Sequence, residues 1–169
     1  MCSQVLPFQL YTMRDGLAST LVSSVMQDSR GFLWIGTMDG ISVFDGREFR
    51  NYTLADGLPF SRVNDIIESK KHPGTMWIAT NGGGICHFVD GTFSSFRVGS
   101  TPISNRVNTL LEDHAGILWC GSDEGLYQRS GDSVVLFHES FSKHSIIQLF
   151  EENDSLIWIL TESGTFLFS

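Results

Sequence analysis

An all-β architecture, a β-propeller built of four-stranded antiparallel blades, is predicted for this 169-residue chain by three observations. Its four tryptophans, Trp34, Trp77, Trp119 and Trp158, recur at intervals of 43, 42 and 39 residues, the spacing of a repeat protein. Glycine or an Asp-Gly pair interrupts every apolar run within about eight residues, too short for a typical helix and suited to strands joined by tight turns. The composition agrees: 17 Gly against 4 Pro, with 13 Phe, is what aromatic-rich strands and many turns require.

Each tryptophan ends the same local sentence. The first copy reads Asp28-Ser29-Arg30-Gly31-Phe32-Leu33-Trp34 and the third Asp113-His114-Ala115-Gly116-Ile117-Leu118-Trp119. The second keeps Gly74, Trp77 and Thr80 with two extra residues before the glycine, and the fourth, the most degenerate, keeps Trp158 and Thr161. A glycine follows six or seven positions after each tryptophan, at Gly40, Gly84, Gly125 and Gly164. A further turn comes at Asp45-Gly46, Asp90-Gly91 and Gly131-Asp132, pairs suited to the positive φ of a hairpin. Four strands per period follow, in the first repeat Val22 to Gln27, Phe32 to Thr37, Ile41 to Asp45 and Glu48 to Thr53. A residue recurring at one place in every repeat meets one recurring environment, so the tryptophans are expected in the apolar seams between blades rather than at a sugar-stacking site.

The blades are expected at residues 22–53, 63–98, 107–138 and 146–169, the last without its outer strand. A leading strand over residues 5–12 resembles the outer strands of the other blades. If Phe8 to Thr12 pairs with Gly164 to Phe168, the chain closes into a four-bladed ring. Two further states fit the same repeat count: half of an eight-bladed homo-oligomer, and a part of a larger ring, which is the state expected first. Closure matters because an open array exposes strand edges and an apolar blade face.

The formal charge of −8 arises from scattered Asp and Glu without a basic block, so nucleic acid is not an expected partner. No apolar stretch approaches a membrane span, and Met1 to Leu10 lacks the basic and apolar regions of a secretory signal. Cys2, Cys86 and Cys120 are odd in number and have no C-x-x-C spacing, so they are read as packing residues. His72, His87, His114, His138 and His144 form no metal-ligand pair, and no nucleophile elbow or phosphate-cradling loop is present. One carboxylate per Asp-x-x-Gly turn is too few for calcium, and Asp28 and Asp113 are expected to bond their own turn backbones. No cofactor, metal or catalytic residue is expected.

With these motifs in place the chain resembles the two-component regulator propeller family. The first repeat follows its pattern D-x-x-G-x-L-W-x-G-T-x-x-G-[IL]. Its linker is present twice, as Tyr11-Thr12-Met13-Arg14-Asp15-Gly16-Leu17 and as Tyr52-Thr53-Leu54-Ala55-Asp56-Gly57-Leu58. The resemblance implies a non-catalytic sensor region of a hybrid histidine kinase or related bacterial receptor, periplasmic or extracytoplasmic, binding a small molecule or carbohydrate. A protein-interaction scaffold and a propeller lyase of the streptogramin lyase type are the alternatives.

In a propeller the loops entering each inner strand and those between the second and third strands emerge on one rim, and loops on a rigid scaffold carry function. The candidate ligand-binding residues are therefore Asp39, Asn81, Asp123 and Glu162 from the second-to-third turns, with Arg62, Asn64, Arg106 and Asn108 from the inner-strand entries. The triplet Arg-Val-Asn occurs twice, at Arg62-Val63-Asn64 and Arg106-Val107-Asn108. It is read either as repeat structure satisfying turn carbonyls or as a polar ring whose planar Arg donors suit an acidic saccharide.

Overall fold

A computed structural model describes residues 8–154 and 156–169. Among them fifteen strands form four antiparallel sheets, as the repeat predicts. Blade 1 comprises β1 (Val22–Gln27), β2 (Leu33–Thr37), β3 (Gly40–Phe44) and β4 (Phe49–Tyr52). Blade 2 comprises β5 (Val63–Glu68), β6 (Met76–Thr80), β7 (Ile85–Val89) and β8 (Thr92–Phe96). Blade 3 comprises β9 (Val107–Glu112), β10 (Leu118–Ser122), β11 (Gly125–Ser130) and β12 (Ser133–Leu136). Blade 4 has three strands, β13 (Ile146–Asn153), β14 (Leu156–Thr161) and β15 (Gly164–Phe168). Each sheet is a simple meander, and the inner strands β1, β5, β9 and β13 pack on one another in succession.

The turn chemistry follows the sequence. Gly40 and Gly84 open their third strands at φ of +128° and +76°, and a Cβ at either would lie 2.3 Å from a carbonyl oxygen of the adjacent fourth strand, Tyr52 or Phe96. Glycine is required there by both conformation and space. The two linker copies fold alike. Thr12 and Thr53 each cap a 3₁₀ turn, their backbone N–H groups donating to Asp15 and Asp56 at 2.7 and 2.8 Å, which is a reciprocal capping box. The leucine that ends each linker, Leu17 or Leu58, is buried.

Three apolar clusters fill the three seams between consecutive blades, and Trp34, Trp77 and Trp119 occupy them in turn. In each, the tryptophan meets one position on the third strand of the next blade. Trp34 meets Phe88 at 5.3 Å, Trp119 meets Phe168 at 5.6 Å, and the Arg129 guanidinium lies 4.9 Å over Trp77. A cation–π contact thus substitutes in the middle seam for an aromatic pair. The indoles of Trp34 and Trp119 donate to Asp28 and Asp113, six residues earlier, at 3.1 and 2.9 Å. Those aspartates also accept the backbone N–H groups of Phe32 and Ile117, the turn role expected of them. Trp158 makes the equivalent bond to Glu152 at 2.7 Å.

The pairing of Phe8 to Thr12 with Gly164 to Phe168 that would close a four-bladed ring is not made. Residues 8–12 form no strand, residues 5–7 of the predicted leading strand lie outside the described residues, and β14 and β15 are the last pair of the blade 4 sheet. The leading segment lies on blade 1 instead. The Tyr11 ring packs 5.2 Å from Phe44 and 5.6 Å from Phe49, Asn51 donates to the Gly16 carbonyl at 2.9 Å, and the Ala18 N–H donates to Ser42. The reason is the repeat itself: Tyr52 packs on Phe88 and Phe93 in the same way, so each linker covers the blade that follows it.

Candidate functional site

Every inner strand carries an irregularity at its second residue. Register shifts fall between Val22 and Ser24, Val63 and Asp65, Val107 and Thr109, and Ile146 and Gln148. A bulge re-aims the side chain of its extra residue, and here it aims Ser23, Asn64 and Asn108 at the next blade. The Asn64 carboxamide donates to the Val107 carbonyl at 2.8 Å, that of Asn108 to the Ile146 carbonyl at 3.0 Å, and the Ser23 hydroxyl to the Val63 carbonyl. In blade 4 the position is Ile147, which is exposed.

This geometry places each candidate rim residue. Asn64 is engaged in the seam between blades 2 and 3. Asp39 is exposed in the β2–β3 turn, its N–H held by the Thr37 hydroxyl at 3.1 Å. Arg62 is exposed and its carbonyl accepts the Asn81 N–H at 2.9 Å, while Asn81 also bridges to Arg106 in the next blade. Glu162 is exposed with its carboxylate 3.9 Å from His144. Arg106, Asn108 and Asp123 come together: Asn108 donates to Asp123 at 2.9 Å and the Arg106 guanidinium stands 4.0 Å from the same carboxylate. Ser145, which sequence reasoning passed over, adds its hydroxyl to Asp123 at 3.4 Å. The result is a compact polar cluster at the mouth of the seam between blades 3 and 4, with a planar donor, an amide, a carboxylate and a hydroxyl able to share a polyhydroxylated ligand.

The opposite rim has its own fasteners. A glutamate at or near the end of the inner strands β5, β9 and β13 accepts a backbone N–H from the first turn of the preceding blade: Ser29 to Glu68 at 2.8 Å, Lys70 to Glu112 at 2.6 Å, His114 to Glu151 at 2.7 Å. Burial works against ionisation of Glu151, but the Lys70 ammonium and the His114 N–H groups outweigh it and hold the carboxyl at about 2. Asp65 is raised instead, by burial, although it accepts the Leu110 N–H across the seam at 2.9 Å. These carboxylates lie on strands whose periodicity alone gave no sign of a polar duty; the recurrence of Glu68, Glu112 and Glu151 toward the ends of three inner strands was the available signal.

Two clefts also open on this second rim. One of about 450 Å³ lies between blades 1 and 2, where Trp34, Tyr52 and Phe88 form the floor and Arg30, Arg50 and Glu48 the walls. The other, about 310 Å³, lies between blades 3 and 4 beside His114 and Glu151. Cys86 and Cys120 sit fully buried in the seams, and burial pushes the Cys86 thiol up to about 12 and the Cys120 thiol higher still. Among the described residues no cluster of three or more His, Cys, Asp or Glu has the arrangement of a metal site, and no helix is long and apolar enough to cross a membrane.

The meander blades, the seam tryptophans and the regularly spaced bulges define a β-propeller. Two of its repeats match the model of the two component regulator propeller family, over residues 16–39 and 101–124. A 45-residue stretch, 27% of the chain, is 44% identical to Histidine kinase P4 of Formosa agariphila, of which it spans 3%. Among solved structures, the extracellular domain of the BT4673 signalling system of B. thetaiotaomicron superposes with a TM-score of 0.77 at 23% identity, covering 89% of this chain and 21% of that one. The extracellular domain of the hybrid two component system BT3049 from B. thetaiotaomicron gives 0.57 at 22% identity over 95% of this chain and 30% of that chain. Virginiamycin B lyase from Staphylococcus aureus gives 0.70 at 17% identity, over 91% and 56%. At these identities the structural likeness carries the fold alone. The chain spans a fifth to a third of the extracellular-domain chains it resembles.

Proposed function

We propose that this chain is a non-catalytic sensing module of an extracytoplasmic receptor of the hybrid two-component type, taking a small molecule or glycan on the rim where its inner strands begin. The observation that carries the reading is the Arg106–Asn108–Asp123 cluster, set on a propeller whose repeats match a signalling family and whose fold is shared with extracellular domains of two-component systems. Arg106 is half exposed and Asp123 a third exposed, so both keep hydrogen-bonding capacity toward solvent while Asn108 is held by the seam. A carbohydrate suits such a surface because its hydroxyls both donate and accept.

The test is a thermal-shift and calorimetric screen of short neutral and uronic-acid oligosaccharides against the intact chain. A binder present at about 100 times its dissociation constant adds about 2.7 kcal/mol to stability, a clear rise in Tm. Arg106→Ala and Asp123→Asn are expected to abolish that rise while leaving the unliganded stability within about 0.5 kcal/mol of the parent. A binder whose affinity ignores both substitutions would remove the cluster from the site, and turnover of any oligosaccharide would overturn the non-catalytic reading.

A further inference from the structure

Repetition makes departures from the repeat conspicuous, and two of them meet in blade 2. The first lies in the linker. Three residues before the start of each inner strand stand Ser19, Phe60, Ser104 and Lys143. The two serines are buried and bond within their own linkers, Ser19 accepting the Leu21 N–H and Ser104 donating to the Thr101 carbonyl. Phe60 puts at this place an aromatic residue that is 39% exposed. The second departure lies in the turn between the second and third strands. Blades 1, 3 and 4 have two residues there, Met38-Asp39, Asp123-Glu124 and Glu162-Ser163, whereas blade 2 has three, Asn81-Gly82-Gly83.

The longer turn is the seat of the ring. A Cβ at Gly82 would fall 3.0 Å from Phe60 Cε2 and 3.1 Å from its Cζ, and one at Gly83 would fall 3.0 Å from Phe60 Cβ. Side chains at these positions and the ring could not share the space. Phe60 therefore rests on bare backbone, outside the three seam clusters of described residues. A phenyl ring inside a seam would gain more from burial; on the rim it keeps apolar surface available to a ligand.

Main-chain bonds lay this seat beside the polar cluster. Asn81, next to Gly82, bridges to Arg106, the Gly84 N–H donates to the Asn105 carbonyl at 3.0 Å, and the Asp123 N–H donates to the Arg106 carbonyl at 3.0 Å. Phe60, Asn81, Arg106 and Asp123 thus follow one another along a single stretch of rim across blades 2 and 3.

We propose that Phe60 is a stacking platform for a pyranose ring, and that the ligand is a saccharide of at least two units, one lying by its C–H face on Phe60 and the next hydrogen-bonded to Arg106 and Asp123. This deepens the reading of the rim as a saccharide site and rests on it. The C–H face of a pyranose with equatorial hydroxyls is flat and apolar, so the face of an aromatic ring matches it where a branched aliphatic side chain does not. The polar cluster alone accepts any hydroxyl-rich molecule; the platform adds a requirement for a ring of that shape.

The test is calorimetric titration of the intact chain with cellotriose and with the β-1,4-linked trimer of glucuronic acid, comparing the parent with Phe60→Tyr, Phe60→Leu and Arg106→Ala. At least one trimer is expected to bind the parent. Phe60→Tyr holds that affinity within about twofold, and Phe60→Leu, which keeps apolar bulk on the Gly82-Gly83 seat, weakens it about tenfold. In proton magnetic resonance the C–H signals of the stacked sugar move upfield with the parent and Phe60→Tyr, and stay in place with Phe60→Leu. A trimer that needs Arg106 but binds Phe60→Leu as tightly as the parent would overturn the platform and leave the rim reading standing. Binding lost in Phe60→Leu yet indifferent to Arg106→Ala would keep the platform and overturn the ligand shared with the cluster. No binding of either trimer at about 1 mM would overturn the saccharide assignment and the platform with it.

Discussion

The Asn108 carboxamide spans two jobs at once: it donates to the Ile146 carbonyl of the next blade at 3.0 Å and to Asp123 of its own at 2.9 Å. The bulge at Asn108 aims the side chain across the seam, and the carboxylate turns the remaining N–H toward the rim. The candidate ligand cluster and the fastening between blades 3 and 4 thus share a residue.

Asn64→Ala removes the seam bond without touching the cluster. The Val107 carbonyl is left unpaired in a half-buried site, at a cost of about 1–2 kcal/mol. Asn64→Ser is expected to recover part of that, since serine makes the equivalent bond from Ser23 to Val63. Urea unfolding monitored by circular dichroism reads both, with the m-value unchanged.

Asp113 accepts from the Ile117 N–H and the Trp119 indole through different oxygens. Asp113→Ala orphans both donors and is expected to cost about 2–4 kcal/mol. Asp113→Asn keeps one acceptor and costs less. Hydrogen exchange at the Ile117 amide and the Trp119 indole, seen by nuclear magnetic resonance, rises in the order parent, Asn, Ala.

Glu151 sets a pH dependence. Its carboxyl is held at about 2 in the fold against an ordinary value of 4.5, so the ionised form is favoured on folding. The stabilisation is complete above 4.5 and is lost as the pH falls through that value toward 2. Glu151→Gln is expected to flatten the acid limb of a Tm-against-pH curve in this window. A limb unchanged by the substitution would assign it to other carboxylates.

Arg129 replaces the Phe88 and Phe168 positions of the other seams, over Trp77 and 5.3 Å from Phe96. Arg129→Ala empties that place and is expected to cost about 1–2 kcal/mol through lost stem packing and cation–π contact. Arg129→Lys keeps the charge but loses the planar stack, and falls between. Trp77 emission shifts to the red in both.

The thiols of Cys86 and Cys120 are expected to be silent toward an aromatic disulfide reagent in the native state and to react together on unfolding. Burial denies access and raises both above the range in which thiolate forms. Prompt reaction of either in the folded chain would show that a seam opens locally.

Much of this was legible in the sequence because repetition averages out local ambiguity. The spacing of Trp34, Trp77 and Trp119 located three seams, and the glycine that follows each fixed the third strands. What could not be read is what depends on the partner across a seam. Asn64 and Asn108 were visible as a recurring residue, yet their duty depends on a bulge, which strand periodicity does not reveal. Of the eight rim candidates, only Arg106, Asn108 and Asp123 converge, because Asp123 sits on a second-to-third turn brought under the next inner strand while Asp39 and Glu162 point to solvent. Phe8 to Thr12 was misassigned for a related reason: its likeness to outer strands concerned composition, whereas Tyr11 and the capped turn after it repeat the linker that lies on the following blade.

In both rims each latch sets a side chain of one blade against main chain of its neighbour. Asn64 and Asn108 seek a carbonyl, and Glu68, Glu112 and Glu151 seek an N–H supplied by Ser29, Lys70 and His114, with side-chain bonds from Ser29, Ser69, Lys70 and His114 added on the glutamate rim. A blade that carries its own amide and its own carboxylate can therefore be duplicated, exchanged or inserted and still find the main-chain half of each latch in its neighbours. The joint is generic on one side, which is the condition for a molecule to lengthen by copying itself.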